Sequence, residues 1–364
     1  MKARGWVMTR TAGVAAFAFL FSCAAGNTAR GGADAISRIE MEEHMVPAAD
    51  AGIELYLRNK HPQGMSKFSA DRVVLFVHGA TYPAETAFDL RLGGTSWMEY
   101  IAERGFDVWL VDVRGYGRST RPPEMNEPPE KNPPIVRTDT AIHDVSTAID
   151  FILRKRGVPK LDLIGWSWGT AMMGSYAAQN PDKVERLVLY APLWVYSTDP
   201  LISVNGAWRA PTIDAARDRW LRGVADEKKN ALIPAGWFEQ WSEATWATDP
   251  AGAQHVAGKV RAPNGVLADI KDFWAAGKPL YDPSQIRAPT LLVHAEWDQD
   301  LPSYMCHAYF GKLTGAPWKR FVEIGEGTHT VMMEKNRTQL FREVQAFLEE
   351  PPPARAEPSA AASR

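Results

Sequence analysis

The stretch Leu161–Thr170, LDLIGWSWGT, constrains this chain more than any other. Apolar, strand-compatible residues run into Gly165-Trp166-Ser167-Trp168-Gly169, and a helix-forming segment, AMMGSYAAQ, follows until Asn180-Pro181 stops it. A serine at the apex of a strand, a sharp turn and a helix must take an unusual backbone conformation if its hydroxyl is to stand clear of the sheet. Glycines two residues to either side remove the side chains that would collide there. The helix that begins at this point also aims its first amides at the serine and favours negative charge. A plain Gly/Ser turn between strand and helix is the bland alternative, and the strand before and helix after strengthen the reading as a site.

The remaining pattern alternates strands with helices, which implies a mostly parallel sheet. Residues 36–46 and 52–59 read as an opening antiparallel hairpin. Residues 72–77 (RVVLFV) and 107–113 (DVWLVDV) are continuous apolar runs of the kind a doubly covered strand requires. The spacing predicts a helix over 138–156, with Ile142, Val145, Ile149, Ile152 and Leu153 on one face and Gly157 at its stop. Further strands are expected at 184–190, 289–294 and 320–324, and helices at 95–104, 305–313 and 336–348. The proline-rich run RPPEMNEPPEKNPP is too broken for a regular element. Residues 194–286 differ in texture: they lack strong strand runs and carry seven tryptophans, namely Trp194, Trp208, Trp220, Trp237, Trp241, Trp246 and Trp274. They are expected to form a mainly helical cap inserted into a core of residues 36–193 and 287–349. A helical excursion packing elsewhere is the alternative.

A composition 45% hydrophobic and 23% charged is that of an ordinary globular chain, and a core of this size needs no disulfides. The net charge of −2, with no run of Lys/Arg, speaks against a nucleic-acid partner. At the start, Lys2, Arg4 and Arg10 precede an apolar run over residues 12–21 and then Ser22-Cys23-Ala24-Ala25. That run is too short to span a membrane and has the flanks of a secretory leader over residues 1–25. Leu20-Phe21-Ser22-Cys23 resembles a bacterial lipobox, which would give a lipidated Cys23 and a membrane anchor. Cleavage after Ala25 with simple secretion, or an unprocessed start, are the other readings. The protein is therefore expected to be exported, as a periplasmic, secreted or lipid-anchored bacterial protein. The only other cysteine, Cys306, reads as a packing residue. The Pro/Ala-rich tail, residues 350–364, is expected to be disordered.

A serine hydroxyl needs a base to take its proton, and that base must be oriented. Of eight histidines, His329 lies in Gly325-Glu326-Gly327-Thr328-His329, directly after the last strand, and is the candidate base; His78, also after a strand, is the alternative. For the orienting acid, the strand at 289–294 leads to Ala295-Glu296-Trp297-Asp298-Gln299-Asp300. Asp298 is the choice over Asp300, Glu296 and Asp199. The order Ser167, Asp298, His329 is that of α/β-hydrolases.

The chain resembles the α/β-hydrolase superfamily from about residue 36 to 348 through HGAT, DVRGYGRS, GWSWG, HAEWDQDLP and EGTH. The GWSWG segment matches that family's nucleophile elbow. The resemblance implies an α/β fold with a mostly parallel sheet, helices on both faces and an inserted cap. It also implies an oxyanion hole from the backbone amides of Trp168 and, after His78-Gly79, of Ala80. The loop reads HGAT in place of the HGGG of many lipases and esterases. The expected activity is cleavage of a carboxylic ester or related acyl bond through an acyl-enzyme, on a small-molecule acyl substrate, with no metal and no cofactor. An aminopeptidase similar to proline iminopeptidases, using cap residue Glu239 or Glu243 to bind an amine, is a second reading, although the HGGPG loop of those enzymes is missing. A carbon–carbon bond hydrolase is a third, and a non-catalytic binding protein on the same fold is the reading from another class. Trp166, Trp241 and Trp246 are the candidate pocket residues, as flat apolar groups near the nucleophile or in the cap.

Overall fold

The computed structural model describes residues 38–200, 202–250 and 259–351. The leader with Cys23 and nearly all of the expected tail lie outside them. Eight strands form one sheet in the order β1-β2-β4-β3-β5-β6-β9-β10. They are β1 (Ile39–Pro47), β2 (Glu54–Pro62), β3 (Val73–Val77), β4 (Asp107–Val111), β5 (Leu161–Trp166), β6 (Val184–Tyr190), β9 (Thr290–Ala295) and β10 (Lys319–Ile324). β7 (Trp208–Arg209) and β8 (Ala262–Pro263) make a separate two-stranded antiparallel ribbon. The hairpin β1–β2 joins the sheet antiparallel to β4, and every later pair is parallel. Strands β3, β4 and β5 are buried at every residue, as their mostly apolar sequences require.

Seven helices are α1 (Ala84–Phe88), α2 (Trp97–Ala102), α3 (Thr138–Arg156), α4 (Trp168–Gln179), α5 (Ile213–Trp220), α6 (Asp226–Leu232) and α7 (Trp237–Ala247). Two more, Ser303–Lys312 and Arg337–Glu349, belong to the core. Helices cover both faces of the sheet: α3 packs on α4, and α2 packs on Arg337–Glu349. α2 starts with a capping box in which the Ser96 side chain and Glu99 satisfy each other's backbone amides. α3 ends where Gly157 turns into the left-handed conformation. Its buried Asp144 accepts from the Arg114 guanidinium and backbone, and so ties α3 to the loop after β4. Among the described residues no helix is long and apolar enough to cross a membrane.

Chain order and strand order together locate the site. β3 lies between β4 and β5, so consecutive crossovers leave it in opposite directions. The loops leaving β3 and β5 then diverge, opening a crevice at the carboxyl ends of the strands, where ligands bind in sheets of this kind. His78–Thr81 follows β3, and Ser167 follows β5.

The segment between β6 and β9 is mainly helical, carrying α5, α6, α7 and the helix Gly265–Asp269. It also carries the β7–β8 ribbon, which its sequence did not suggest. The ribbon is two residues a side, too short for any periodicity, and is held from outside. The Ala207 amide donates to the Pro129 carbonyl at 2.8 Å, and the Trp208 indole donates to the Glu127 carbonyl at 3.0 Å. The proline-rich run therefore has a docking role, and it contains two short 3-10 turns, Pro123–Asn126 and Pro129–Lys131, where no regular element was expected.

Candidate active site

Ser167 sits between β5 and α4 with φ 55° and ψ −118°, a backbone state that costs a non-glycine residue roughly 1–3 kcal/mol. Its surroundings enforce that state. The Ser167 amide donates to the Tyr190 carbonyl of β6 at 2.9 Å, and Thr170 donates its hydroxyl to the Ser167 carbonyl at 2.5 Å. The flanking glycines are required by close approach. A Cβ at Gly165 would lie 2.5 Å from the Gly169 carbonyl oxygen, and one at Gly169 would lie 2.3 Å from that of Val77.

His329, on the loop after β10, directs Nδ1 to Asp298 Oδ2 at 2.7 Å. Asp298 is 2% exposed, and its other oxygen accepts the Asp300 and Leu301 amides, both at 2.9 Å. With Nδ1 donating to the carboxylate, Nε2 is left as the basic nitrogen. It is buried and has no hydrogen-bond partner among the described residues. The His329 carbonyl is gripped by the Trp166 indole at 3.0 Å and the Tyr190 hydroxyl at 2.6 Å. Beneath the loop, the buried Glu334 carboxyl accepts from the Thr328 amide and from the hydroxyls of Thr328 and Thr330. Burial pushes the Glu334 carboxyl up to about 7, against the lowering effect of those donors.

The other candidates separate by their partners. His78 is fully buried; the Val113 amide donates to its Nε2 at 3.2 Å while Nδ1 faces the Gly79 carbonyl at 2.7 Å. Burial lowers its pKa to about 4, so it stays neutral and ties two loops together. Asp300 pairs with Arg219 at 2.5 Å and Arg222 at 2.8 Å, both from the inserted segment. Although burial opposes ionisation, Arg219 above all holds the Asp300 carboxyl down to about 2. Glu296 accepts the Glu326 amide at 2.8 Å. Cys306 is buried, and burial pushes its thiol up, as expected of a packing residue.

A cavity of about 420 Å³ opens beside Ser167. Core residues Ala80, Ser167, Trp168 and Leu301 line one side, and Arg209 and Ile270 of the inserted segment line the other. The segment between β6 and β9 thus contributes part of the cavity wall. Among the described residues, neither the Ala80 nor the Trp168 amide donates to a protein acceptor. Ala80 is followed by Thr81 with φ 96°, a β-branched residue in a region that favours glycine.

The expected pocket tryptophans lie elsewhere. Trp166 is buried beside His329, with ring centroids 5.3 Å apart, and its indole is spent on the His329 carbonyl. Trp241 is fully buried among Trp220 at 4.6 Å, Tyr82 at 4.8 Å and Trp246 at 5.9 Å. None of Trp166, Trp241 and Trp246 lines the cavity. Aromatic bulk in the insert goes into its own packing, because a short insert has few other means of burying area. Glu239 and Glu243 are exposed, and Glu239 pairs with Arg217 at 2.5 Å, so neither faces the cavity. Among the cavity residues that the sequence did not reveal are Thr81, Arg209, Arg219 and Arg222. Arg209 lies in a two-residue strand, and no local pattern marks it.

Comparisons with known proteins agree with this architecture. The chain matches the family model for the alpha/beta hydrolase fold over residues 72–336. It is 30% identical over 174 residues to a probable lipase of Schizosaccharomyces pombe, covering 45% of this chain and 39% of that one. It is 28% identical over 164 residues to the gastric triacylglycerol lipase of Bos taurus, covering 45% and 40%. The chain thus spans about two fifths of the length of these curated relatives. Among solved structures it is similar to a 2-hydroxy-6-oxo-6-phenylhexa-2,4-dienoate hydrolase from Rhodococcus, with TM-score 0.57, 14% identity and coverage of 85% and 99%. It is also similar to a thermophilic esterase from Thermogutta terrifontis, with TM-score 0.54, 17% identity and coverage of 84% and 98%. At these identities the structural likeness speaks for the fold alone. The family model covers most of the chain, from β3 to the start of the last helix, and the protein belongs to the alpha/beta hydrolase fold family.

Proposed function

We propose that the protein is a serine hydrolase that cleaves a carboxylic ester through an acyl-enzyme. Ser167 attacks the carbonyl, His329 takes the hydroxyl proton on Nε2 and returns it to the leaving alcohol, and Asp298 holds His329 in the required tautomer. The Ala80 and Trp168 amides receive the oxyanion, a contribution worth on the order of 10²–10³ in rate per donor. Water then attacks the acyl-enzyme by the same base, releasing the acid and restoring Ser167. The observation that carries this reading is the strained Ser167 backbone at a cavity wall, together with a buried His329–Asp298 pair that the preceding residue, Trp166, holds by its indole and whose Nε2 has no protein partner among the described residues. The lipase names of the relatives support ester over amide cleavage. The exposed positions of Glu239 and Glu243 remove the amine-binding feature on which the peptidase reading depended. Export through the leader belongs to the same proposal, and the mass of the mature N-terminus tests it.

The test is Ser167→Ala against wild type on short-chain p-nitrophenyl esters. Turnover is expected to fall by several orders of magnitude while the thermal transition is kept. Full activity in the variant would end the proposal.

A further inference from the structure

The cavity wall carries more positive charge than its neighbours neutralise. Three arginines line it, Arg209, Arg219 and Arg222, with one carboxylate, Asp300, which Arg219 and Arg222 already share. Arg209 is left with neutral partners only. Its guanidinium donates to the Thr81 hydroxyl at 2.7 Å and to the Pro263 carbonyl at 2.5 Å, with the Asn264 side chain at 3.4 Å. Among the described residues no carboxylate lies within ion-pair reach of it. Burial is the largest influence on this guanidinium and lowers its pKa, as it does for a cation taken out of water without a counter-charge.

An arginine in this position is costly if its task is only to hold Thr81. Arg209 is partly buried, and a neutral amide could donate to a hydroxyl and a carbonyl there without the cost of desolvating an unpaired charge. The location matters equally. Thr81 adjoins Ala80, whose amide faces the reacting carbonyl in the proposed mechanism, so Arg209 stands next to the oxyanion loop. A guanidinium offers donors in a planar fork that matches a carboxylate. The cavity is also small, at about 420 Å³, and has charged walls, which suits a compact polar ester better than a long apolar chain.

We propose that Arg209 binds a carboxylate carried by the substrate, so that the ester cleaved at Ser167 belongs to a molecule with a second, anionic end. This rests on Ser167 being the nucleophile, and the experiment keeps the two claims apart. Monoethyl half-esters of linear dicarboxylic acids of increasing length are compared with uncharged ethyl esters in which an isopropyl group replaces the carboxylate. The acid released is quantified by chromatography, and labelling of Ser167 by a fluorophosphonate is followed on the same preparations. Wild type is expected to prefer the charged ester by tenfold or more in kcat/KM at one chain length or more, chiefly through KM. Arg209→Gln is expected to lower kcat/KM for that charged ester about thirtyfold or more beyond its effect on the isostere, the scale of losing one partner of a close charge pair. Arg209→Lys, which keeps the charge and loses the fork, is expected to retain part of the preference. Equal or better cleavage of the neutral ester at every length would overturn the inference. So would an Arg209→Gln loss that is the same for both esters, because it would confine Arg209 to holding the Thr81 loop. Neither result would touch the proposed hydrolase if Ser167 still labels; absent labelling in wild type would sink that reading instead.

Discussion

Asp298 and Asp300 stand two residues apart and meet opposite partners, one a histidine and the other two arginines. The proposed mechanism therefore separates them in kinetics. Asp298→Asn should lower kcat by about 10⁴, because His329 is then held in the wrong tautomer. Asp300→Asn should act mainly on KM, by releasing Arg219 and Arg222 at the cavity wall. Steady-state kinetics of both variants checks this, and a crippled Asp300→Asn beside an active Asp298→Asn would reverse the assignment. Glu334 gives a prediction in pH. Its folded pKa of about 7 is raised above an unfolded value near 4.3, so the native state binds the extra proton between the two and stability falls as pH rises through that window. His78, depressed to about 4, acts in the opposite sense, its contribution being lost as pH falls from about 6.5. The wild-type slope thus mixes the two, but the difference against Glu334→Gln isolates the glutamate. Chemical denaturation from pH 4.5 to 7.5 should show wild type losing stability with rising pH relative to that variant. Parallel curves would mean that Glu334 does not titrate there. Ser167, Asp298 and His329 can be proposed from the sequence because each stands at a strand end in a turn-rich loop. Glu334, Thr81 and Arg209 cannot, because what distinguishes them is burial, φ and a long-range partner.

At the scale of elements, the elbow is the junction that tolerates least change. A methyl at position 169 would meet the Val77 carbonyl oxygen at 2.3 Å, pressing α4 away from β3. Gly169→Ala should therefore lower the melting temperature and slow phosphonate labelling together, and a variant normal in both would show that the close approach is relaxed in solution. The core strands and helices matched the expected ranges to within a few residues, since long apolar runs and a 3.6-residue period report burial locally. α1 and the β7–β8 ribbon escaped because short elements depend on outside partners. The α1 terminus is held by the Asp112 carboxylate, which accepts the Ala84 amide at 2.7 Å, and the ribbon hangs on the proline-rich loop.

For the whole molecule, the insert between β6 and β9 joins the main core, its Trp220, Phe238 and Trp241 lying in the same buried cluster as the sheet. Trp241, fully buried against Trp220 and Tyr82, should cost about 3–5 kcal/mol when cut to alanine. Calorimetry of Trp241→Ala should show that loss, and a variant as stable as wild type would contradict the packing role. The fold class was readable because alternating strands and helices leave few topologies. The cavity was not, because it is built from four separate parts of the chain that meet only in three dimensions.

The central claim is that Ser167 is the nucleophile, and covalent labelling measures it most directly. Purified protein treated with a fluorophosphonate, then examined by intact mass and peptide mapping, should carry one adduct, located on Ser167. The adduct should be absent in Ser167→Ala and formed far more slowly in His329→Gln. An unlabelled wild type, or an adduct on another residue that persists in Ser167→Ala, would contradict the account.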